Sequence, residues 1–260
     1  MVQETKFSIP RAHPRYESLK MRELLIDGAD QGIVATSGLI AHGRGEAFDY
    51  LIGERSLRNA IEAEKVAVAS LLLAKLPVIS VNGNLASLMA NVTVNLAEVT
   101  GSLIEVNLFY RSRARELAIE RVLKQSGAKR VLGIGSNASR IISEISSERR
   151  RVDPDGLFSC DVALIPLEDG DRATALRKMG KQVISIDLNP LSRTSQVASI
   201  SIVDNIVRAF PRMVRIAKQL KSVPASELEA LVSRFDNQRN LAGILEAIAS
   251  RLTRLGENHQ

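Results

Sequence analysis

The segment Ile184-Ser-Ile-Asp-Leu-Asn-Pro-Leu-Ser-Arg-Thr-Ser195 decides the fold. It begins as a buried strand in which Ile alternates with Ser, and it reaches Asp187 before a polar loop that contains Arg193. A second apolar run, Val162–Leu167, ends in the same way and continues into Glu-Asp-Gly-Asp at 168–171. Open α/β sheets place acidic, amide and arginine side chains at the carboxyl ends of their strands and build nucleotide and substrate sites there. The sequence therefore predicts a site at one edge of a sheet.

Apolar runs and helical patterns alternate through the middle of the chain. Strand-like runs occur at 78–81, 104–110, 130–134, 162–167, 183–188 and 198–203. Most begin about 25 to 30 residues apart, which is the length of a βα unit. The spacing predicts an α/β fold with a Rossmann-like, mostly parallel sheet and helices on both faces. The last crossover has only about ten residues, which leaves open an irregular connection or an antiparallel edge strand.

Helical periodicity predicts the elements that cover this sheet. Helices are expected over about residues 12–30, 55–75, 84–99, 113–125 and from 206 to the C-terminus. Gly101 and Gly127 are expected to stop two of them, since glycine is common just past a helix end. The 260 residues therefore predict a single domain, 1–260, with helical extensions at both ends.

The composition narrows the classes of protein and of partner. A hydrophobic fraction of 45% and a charged fraction of 25% are typical of a soluble globular protein. Aromatic residues make up only 3% and Trp is absent, so the chain has few side chains on which nucleic-acid bases could stack. No nucleic-acid partner is expected. The net charge of +6 suits anionic small-molecule substrates. The basic cluster Glu148–Arg151 is interpreted as a solvated loop.

Cysteine usage and the N-terminus indicate the compartment. The lone Cys160 can form no intramolecular disulfide, which fits a reducing cytoplasm, and its position at a strand entry predicts burial. No signal peptide is recognisable in the polar N-terminus. No apolar run approaches the roughly 18 residues of a membrane span. A cytoplasmic protein with no membrane partner is expected.

Several catalytic motifs are missing. There is no Walker A run and no nucleophile elbow, and the segment 133–138 begins like a dinucleotide fingerprint but lacks its third glycine. A tight turn is the better interpretation of that segment. His13, His42 and His259 are far apart in sequence, so a zinc site is not expected.

The segment Gly38-Leu-Ile-Ala-His-Gly-Arg-Gly-Glu-Ala-Phe-Asp-Tyr50 is interpreted as a functional loop that opens a short helix near Glu46. Arg44 lies between two glycines, which would let backbone N–H groups approach a phosphate beside the guanidinium. His42 is expected to be exposed in this loop. A proton carrier, a phosphate contact and a purely structural role stay open for it.

Polar residues at other strand ends each allow two interpretations. The turn Asn82-Gly83-Asn84 could bind an anion at a helix N-terminus, or Asn84 could simply cap that helix. Asp169 and Asp171 could hold Mg²⁺, or Asp171 could cap the next helix. Asn205 could cap a helix or hydrogen-bond a purine edge or ribose. The local pattern does not separate these alternatives.

Long ungapped motifs resemble one known family, the archaeal phosphopantothenate synthetases, also called 4-phosphopantoate–β-alanine ligases. The resemblance extends from about residue 8 to about residue 255, and it is weakest at 133–147. The motifs that carry it are Ile9–Tyr16, Gly38–Tyr50, Val78–Asn84, Glu105–Arg111, Pro166–Arg172, Ile186–Arg193 and Val203–Arg208.

The resemblance implies a Rossmann-like homodimeric ligase of coenzyme A biosynthesis. Such an enzyme joins 4-phosphopantoate to β-alanine with ATP and Mg²⁺, through an acyl adenylate, and releases AMP and diphosphate. Two other classes stay open: a non-catalytic nucleotide-binding protein, and a pantoate-type kinase that releases ADP. Detection of AMP, ADP or neither product would distinguish the three.

The resemblance also implies site residues. Carried over by motif, the residues for ATP are Arg22, Arg44, Asp187, Leu188, Asn189, Arg193, Thr194, Asn205 and Ile206. From strand-end geometry, phosphopantoate is expected beside Asn82, Gly83, Asn84 and Asn107. His42 and Arg44 are the candidate catalytic residues, and the sequence assigns no metal ligand.

Overall fold

The computed structural model describes residues 9–257. The helices are α1 (Tyr16–Asp30), α2 (Thr36–Ile52), α3 (Arg58–Leu73), α4 (Gly83–Thr100), α5 (Arg113–Gln125), α6 (Gly170–Lys178), α7 (Arg193–Val197), α8 (Ile206–Leu220), α9 (Ala225–Ser233) and α10 (Asn237–Glu257). The strands are β1 (Pro77–Val81), β2 (Leu103–Val106), β3 (Arg140–Ile141), β4 (Arg151–Val152), β5 (Val162–Pro166), β6 (Gln182–Ile186) and β7 (Ile200–Ile202). His259 lies outside the described residues.

Five strands form one parallel sheet in the order β2-β1-β5-β6-β7. Leu132 adds a single parallel bridge to Glu105 on the outer side of β2. If that bridge is counted as a rudimentary strand, the sheet has six strands. Numbered by their order within this sheet alone, they follow the doubly wound arrangement 3-2-1-4-5-6, and the switch point lies between β1 and β5. The Rossmann-like prediction is confirmed. The last crossover is also settled, because β6 and β7 pair in parallel across the short helix α7.

The strand predicted at 130–134 is reduced to that one bridge. Gly133 takes φ +78, which turns the chain away from β2 immediately after Leu132. Its N–H then donates to the Asp153 carboxylate at 3.1 Å, so it is not available to extend a ladder. The second half of the predicted strand at 104–110 is likewise irregular, since β2 ends at Val106.

Alternate residues of the strands face two separate cores, which explains why the strands are apolar throughout. Ile79, Leu164 and Ile184 pack with the helices α3, α4 and α8. Val78 and Ala163 pack on the opposite face, against α6 and the irregular segment 142–157. Helices therefore lie on both faces, as predicted, but one face carries a much thinner layer.

A buried carboxylate holds the irregular segment against the sheet. Glu105 on β2 accepts hydrogen bonds from the N–H groups of Asp153 at 3.1 Å and Leu157 at 2.6 Å. Burial raises the pKa of Glu105 to about 7, although these two donors favour its charged form. Cys160 lies in the same core and is buried, as predicted.

The interpretation of residues 38–45 as a loop is wrong, because they belong to the helix α2, which also contains the helix predicted from about Glu46. A Cβ on Gly38 would lie 2.2 Å from the Asn84 side-chain oxygen. The Asn84 amide donates to the Gly38 carbonyl at 2.9 Å, so this glycine allows α2 to approach α4 closely. The glycine residues of this segment therefore indicated close helix packing and not a loop. The tertiary contact between α2 and α4 outweighed the low helix propensity of glycine.

Within residues 9–257, no helix combines the length and the apolar character that a membrane span requires.

Candidate active site

A cavity of about 600 Å³ lies at the carboxyl edge of the sheet, over the switch point. Residues that follow β1, β5, β6 and β7 form its floor, and one face of α2 forms its wall. The floor residues are Asn82–Asn84, Leu167–Gly170, Asp187–Asn189 and Asp204–Ile206. This is the place where open α/β sheets bind their ligands. The sheet edge predicted from sequence is therefore the edge that carries the cavity.

Helix α2 presents a stripe of side chains to the cavity at helical spacing. Ser37, Ala41, Arg44 and Phe48 lie three or four residues apart and all line it. Arg44 is exposed and makes no hydrogen bond or ion pair with any residue in the described part of the chain. Its charge is therefore available to a ligand.

Asn82 joins the two strands that flank the switch point. Its side-chain oxygen caps α4 by accepting from the Leu85 N–H at 3.0 Å, and its amide donates to the carbonyls of Pro166 at 2.9 Å and Leu167 at 3.2 Å. Leu167 has φ +52, a rare conformation for a bulky residue that persists only where surrounding contacts impose it. Asn82 is the helix cap, so the interpretation of Asn84 as the cap is wrong.

This arrangement changes how the turn can bind a ligand. The side chains of Asn82 and Asn84 already serve β5 and α2, respectively. Both residues and Gly83 still line the cavity. The Asn82 cap serves the N–H of Leu85, and the first-turn N–H groups of Gly83 and Asn84 remain for an anion.

The end of β6 brings an acid and an arginine together. The Asp187 carboxylate accepts from the Asn189 N–H at 3.0 Å. Burial raises the pKa of Asp187, while that N–H and the charge of Arg44 oppose the increase. Asp187, Leu188 and Asn189 all line the cavity, as the predicted nucleotide residues should.

Helices α6 and α7 meet beside this strand end. A Cβ on Gly170 would lie 2.4 Å from the Arg193 Cβ, so glycine is required at that contact. Arg193 forms an ion pair with Asp171 on the exposed side, and the Thr194 hydroxyl donates to the Glu168 carbonyl at 2.8 Å. Asp171 is thus a partner of Arg193, and the cap of α6 is Asp169 instead.

The end of β7 rests on a buried ion network. The Asn205 side-chain oxygen caps α8 and its amide donates to Asp49 of α2 at 3.0 Å. Arg208 pairs with Asp49 at 2.6 Å and with Asp204 at 2.7 Å. Asn205 and Ile206 line the cavity, and this network fixes α2 above them.

Two arginines that sequence reasoning missed also line the cavity. Arg149 has a side chain only 10% exposed and pairs with Glu168 at 2.5 Å and Asp169 at 2.7 Å, so the interpretation of its cluster as a solvated loop is wrong for this residue. Arg115, in the first turn of α5, donates to the Tyr110 carbonyl at 2.6 Å. No local sequence signal distinguishes these arginines from surface ones.

Two of the predicted residues lie off the cavity wall. Arg22 forms an ion pair with Glu46 at 2.6 Å, and it is Glu46 that lines the cavity. Asn107 is fully buried, and its amide donates to the carbonyl of Arg151 at 3.1 Å. The structure thus brings together eight of the nine predicted nucleotide residues, with Arg22 behind them.

His42 lines the cavity but is not exposed as expected. It is half-buried on α2, and its Nε2 atom is buried without a hydrogen-bond partner among the described residues. Burial lowers the pKa of His42, and the nearby Glu46 only partly offsets this effect. The imidazole is therefore neutral at pH 7 and able to accept a proton.

The cavity contains no ready-made metal cage. Residues 9–257 include no cluster of three or more His, Cys, Asp or Glu side chains that could hold a metal ion. Mg²⁺ in nucleotide sites commonly uses only one or two carboxylates together with substrate phosphates. Asp187, which forms no ion pair with a Lys or Arg among residues 9–257, fits that more limited role.

Fold and cavity together define a doubly wound α/β protein with an arginine-rich ligand site at its switch point. A family model described as phosphopantothenate/pantothenate synthetase matches residues 59–251. The chain belongs to this family. It is 50% identical over 251 residues to a 4-phosphopantoate–β-alanine ligase of Thermococcus kodakarensis, an alignment that covers 96% of this chain and 95% of the relative.

Proteins with the same name from other organisms are equally similar. The relative from Methanosarcina mazei is 52% identical, with 94% of this chain and 95% of its own length covered. The relative from Methanospirillum hungatei is 46% identical, with 94% and 98% covered.

Proposed function

We propose that this protein is a 4-phosphopantoate–β-alanine ligase of coenzyme A biosynthesis. The observation that carries the proposal is near-full-length identity of about half to ligases of that name. The cavity supports it, since it joins an unpaired arginine, helix N-termini and a neutral histidine in one space. These groups suit a reaction between anions.

The reaction proceeds in two steps. A carboxylate oxygen of phosphopantoate attacks the α-phosphorus of ATP, and diphosphate leaves, which gives the acyl adenylate. The β-alanine nitrogen then attacks the acyl carbon, AMP leaves with the acyl-phosphate oxygen, and the nitrogen loses a proton as the amide forms. Both steps develop negative charge on phosphate oxygens, so positioned cations and N–H donors accelerate them.

We place ATP along the ends of β6 and β7. Arg44 and Arg193 contact the phosphates, and Asn189 faces the ribose or base. Asp187, which feels the charge of Arg44, lies on the phosphate side. Thr194 and Asn205 are fixed by their own hydrogen bonds and shape this end of the cavity. Leu188 and Ile206 contribute apolar surface, and Arg22 acts through Glu46.

The β-alanine amine must lose its proton before it can attack. An aliphatic ammonium has a pKa near 10, so a base is needed at neutral pH. His42 is the candidate, because it lines the cavity, is neutral at pH 7 and has an Nε2 atom with no hydrogen-bond partner among residues 9–257. Glu46, four residues further along α2 and also at the cavity, lies within Coulombic range of His42 and would stabilise the imidazolium that forms.

Mg²⁺ would enter with the triphosphate and would neutralise charge on its oxygens. Asp187 is the protein carboxylate that fits it best. Asp169 and Asp171 are less suitable, since each already pairs with an arginine.

We also propose a cytoplasmic homodimer. Ile40, Leu191 and Tyr110 have 73%, 62% and 55% of their surface accessible, and Tyr110 lines the cavity. Large exposed apolar side chains of this kind support a subunit interface. Sedimentation equilibrium at micromolar concentration tests this, and a strictly monomeric species would contradict it.

Product analysis tests the reaction itself. Purified protein with ATP, Mg²⁺, 4-phosphopantoate and β-alanine should form AMP, diphosphate and 4′-phosphopantothenate in equal amounts. Without β-alanine, labelled diphosphate should exchange into ATP only when phosphopantoate is present. Formation of ADP would show a kinase instead, and ATP binding without turnover would show a non-catalytic protein.

A further inference from the structure

Four arginines line the cavity, and they differ in how their charge is balanced. Arg193 pairs with Asp171, and Arg149 pairs with Glu168 and Asp169. Arg44 and Arg115 have no carboxylate partner among residues 9–257. Positive charge that no carboxylate neutralises attracts anions into a cleft, so these two positions are candidate anion sites.

The two unpaired arginines belong to different ends of the floor. Arg44 lies close enough to Asp187, at the end of β6, for its charge to favour the ionised carboxylate. Arg115 lies in the first turn of α5, on the far side of β1, where it donates to the carbonyl of Tyr110, a residue that follows β2. The cavity therefore has one cationic position for a nucleotide and a second on the opposite side of the switch point.

Helix stability does not explain Arg115. A cation in the first turn of a helix lies at the unfavourable end of the helix dipole. Its single side-chain hydrogen bond within the described chain leaves the Nε atom buried and unpartnered. Its neighbour in the same turn, Arg113, is by contrast 60% exposed, pairs with Glu116 and does not line the cavity.

Arg149 completes the same corner. Its guanidinium lies 5.5 Å from the ring centroid of Phe109, which also lines the cavity next to Tyr110. Two carboxylates hold the group in place, and its Nε atom is likewise buried without a partner. A phosphate is the ligand that matches two guanidinium groups with unused donors.

We propose that Arg115, supported by Arg149, forms the subsite for the phosphate group of the acid substrate. This inference rests on the proposed ligase function. It places the substrate phosphate at the β1–β2 side of the cavity and keeps it away from the triphosphate. Recognition of that phosphate by Arg115 makes the enzyme select the phosphorylated acid over free pantoate.

The test compares phosphopantoate with pantoate in matched variants. Arg115→Ala should raise the KM for phosphopantoate by about 10-fold to 100-fold, the effect of losing a charge-assisted hydrogen bond, with kcat and the KM for ATP nearly unchanged. The kcat/KM for pantoate should stay the same, so selectivity should collapse. Arg115→Lys should keep part of the selectivity, because a point charge remains.

Arg113→Ala is the control, since it removes an equal charge from the same turn outside the cavity, and selectivity should persist. Equal losses with both acids in Arg115→Ala, or an unchanged KM for phosphopantoate, would overturn the subsite. Wild-type protein that selects neither acid would overturn it as well. Wild-type protein that forms no AMP with either acid would instead refute the ligase function. Calorimetric titration of phosphopantoate into wild type and Arg115→Ala would then still decide the subsite, which predicts weaker binding by the variant and is overturned by equal binding.

Discussion

Replacement of Asn82 tests whether the switch point is held together by one side chain. Asn82→Ala removes the α4 cap, worth about 1 kcal/mol, and strips a buried donor from the carbonyls of Pro166 and Leu167, at about 1–3 kcal/mol. The free energy of unfolding should fall by about 3 kcal/mol. For a chain of this size, Tm should drop by roughly 6–12 °C.

Two further variants separate the contributions. Asn82→Ser keeps a capping oxygen but loses the amide, so it should recover only about 1 kcal/mol of the loss. Asn91→Ala removes an exposed Asn from the same helix and should change stability by less than about 0.5 kcal/mol. Urea unfolding followed by circular dichroism measures all three. The amide bridge would contribute nothing if the free energy of unfolding of Asn82→Ala lay within about 1 kcal/mol of the wild-type value. The same conclusion would follow if Asn82→Ser were as stable as wild type.

Three other perturbations test the site and its support. Arg44→Ala should lower kcat/KM for ATP at least tenfold without changing Tm, because its exposed side chain has no partner in the described part of the chain. Near-normal kinetics would end its assignment to the phosphates. His42→Gln should lower kcat by about 10²-fold. Because burial lowers the pKa of His42, wild-type activity should fall only as pH drops below about 6.5, and persistence of that acidic limb in the variant would exclude His42 as the base. Burial raises the pKa of Glu64 to about 8, above its value in the unfolded chain. The contribution of Glu64 to the free energy of unfolding is therefore greatest in acid, and it is lost as the pH rises from about 5 to 8. In wild type this loss should amount to roughly 1 kcal/mol per pH unit, measured by urea unfolding. Glu64→Gln resembles the protonated acid, so its free energy of unfolding should depend less on pH. An unchanged pH dependence in this variant would show that Glu64 is not the source of the loss.

Much of the site could be predicted because strand ends are local features. An apolar run that stops at Asp187 or at Glu168 marks the carboxyl edge of a parallel sheet whatever the rest of the chain does. Those residues do line the cavity. The motif that contains Arg44 borders the cavity, although its backbone was predicted wrongly as a loop.

The errors arise where partners distant in sequence decide the structure. Gly38 indicates a turn until Asn84 is known to pack against it. Arg149 looks like a surface residue until Glu168 and Phe109 surround it. Asn107 follows a strand, as a site residue should, but its amide is taken up by the carbonyl of Arg151.

The sequence by itself determined the parallel sheet, the sheet edge that carries the cavity, and the family, because periodicity and contiguous motifs are local properties of the chain. Only the tertiary structure decided which arginines are free to bind an anion. Whether a guanidinium is available depends on carboxylates brought close from other elements, as Glu46 is for Arg22, whereas no carboxylate of residues 9–257 pairs with Arg115. Charge balance in a cavity is a property of three-dimensional neighbours, and those neighbours lie tens of residues apart in the chain.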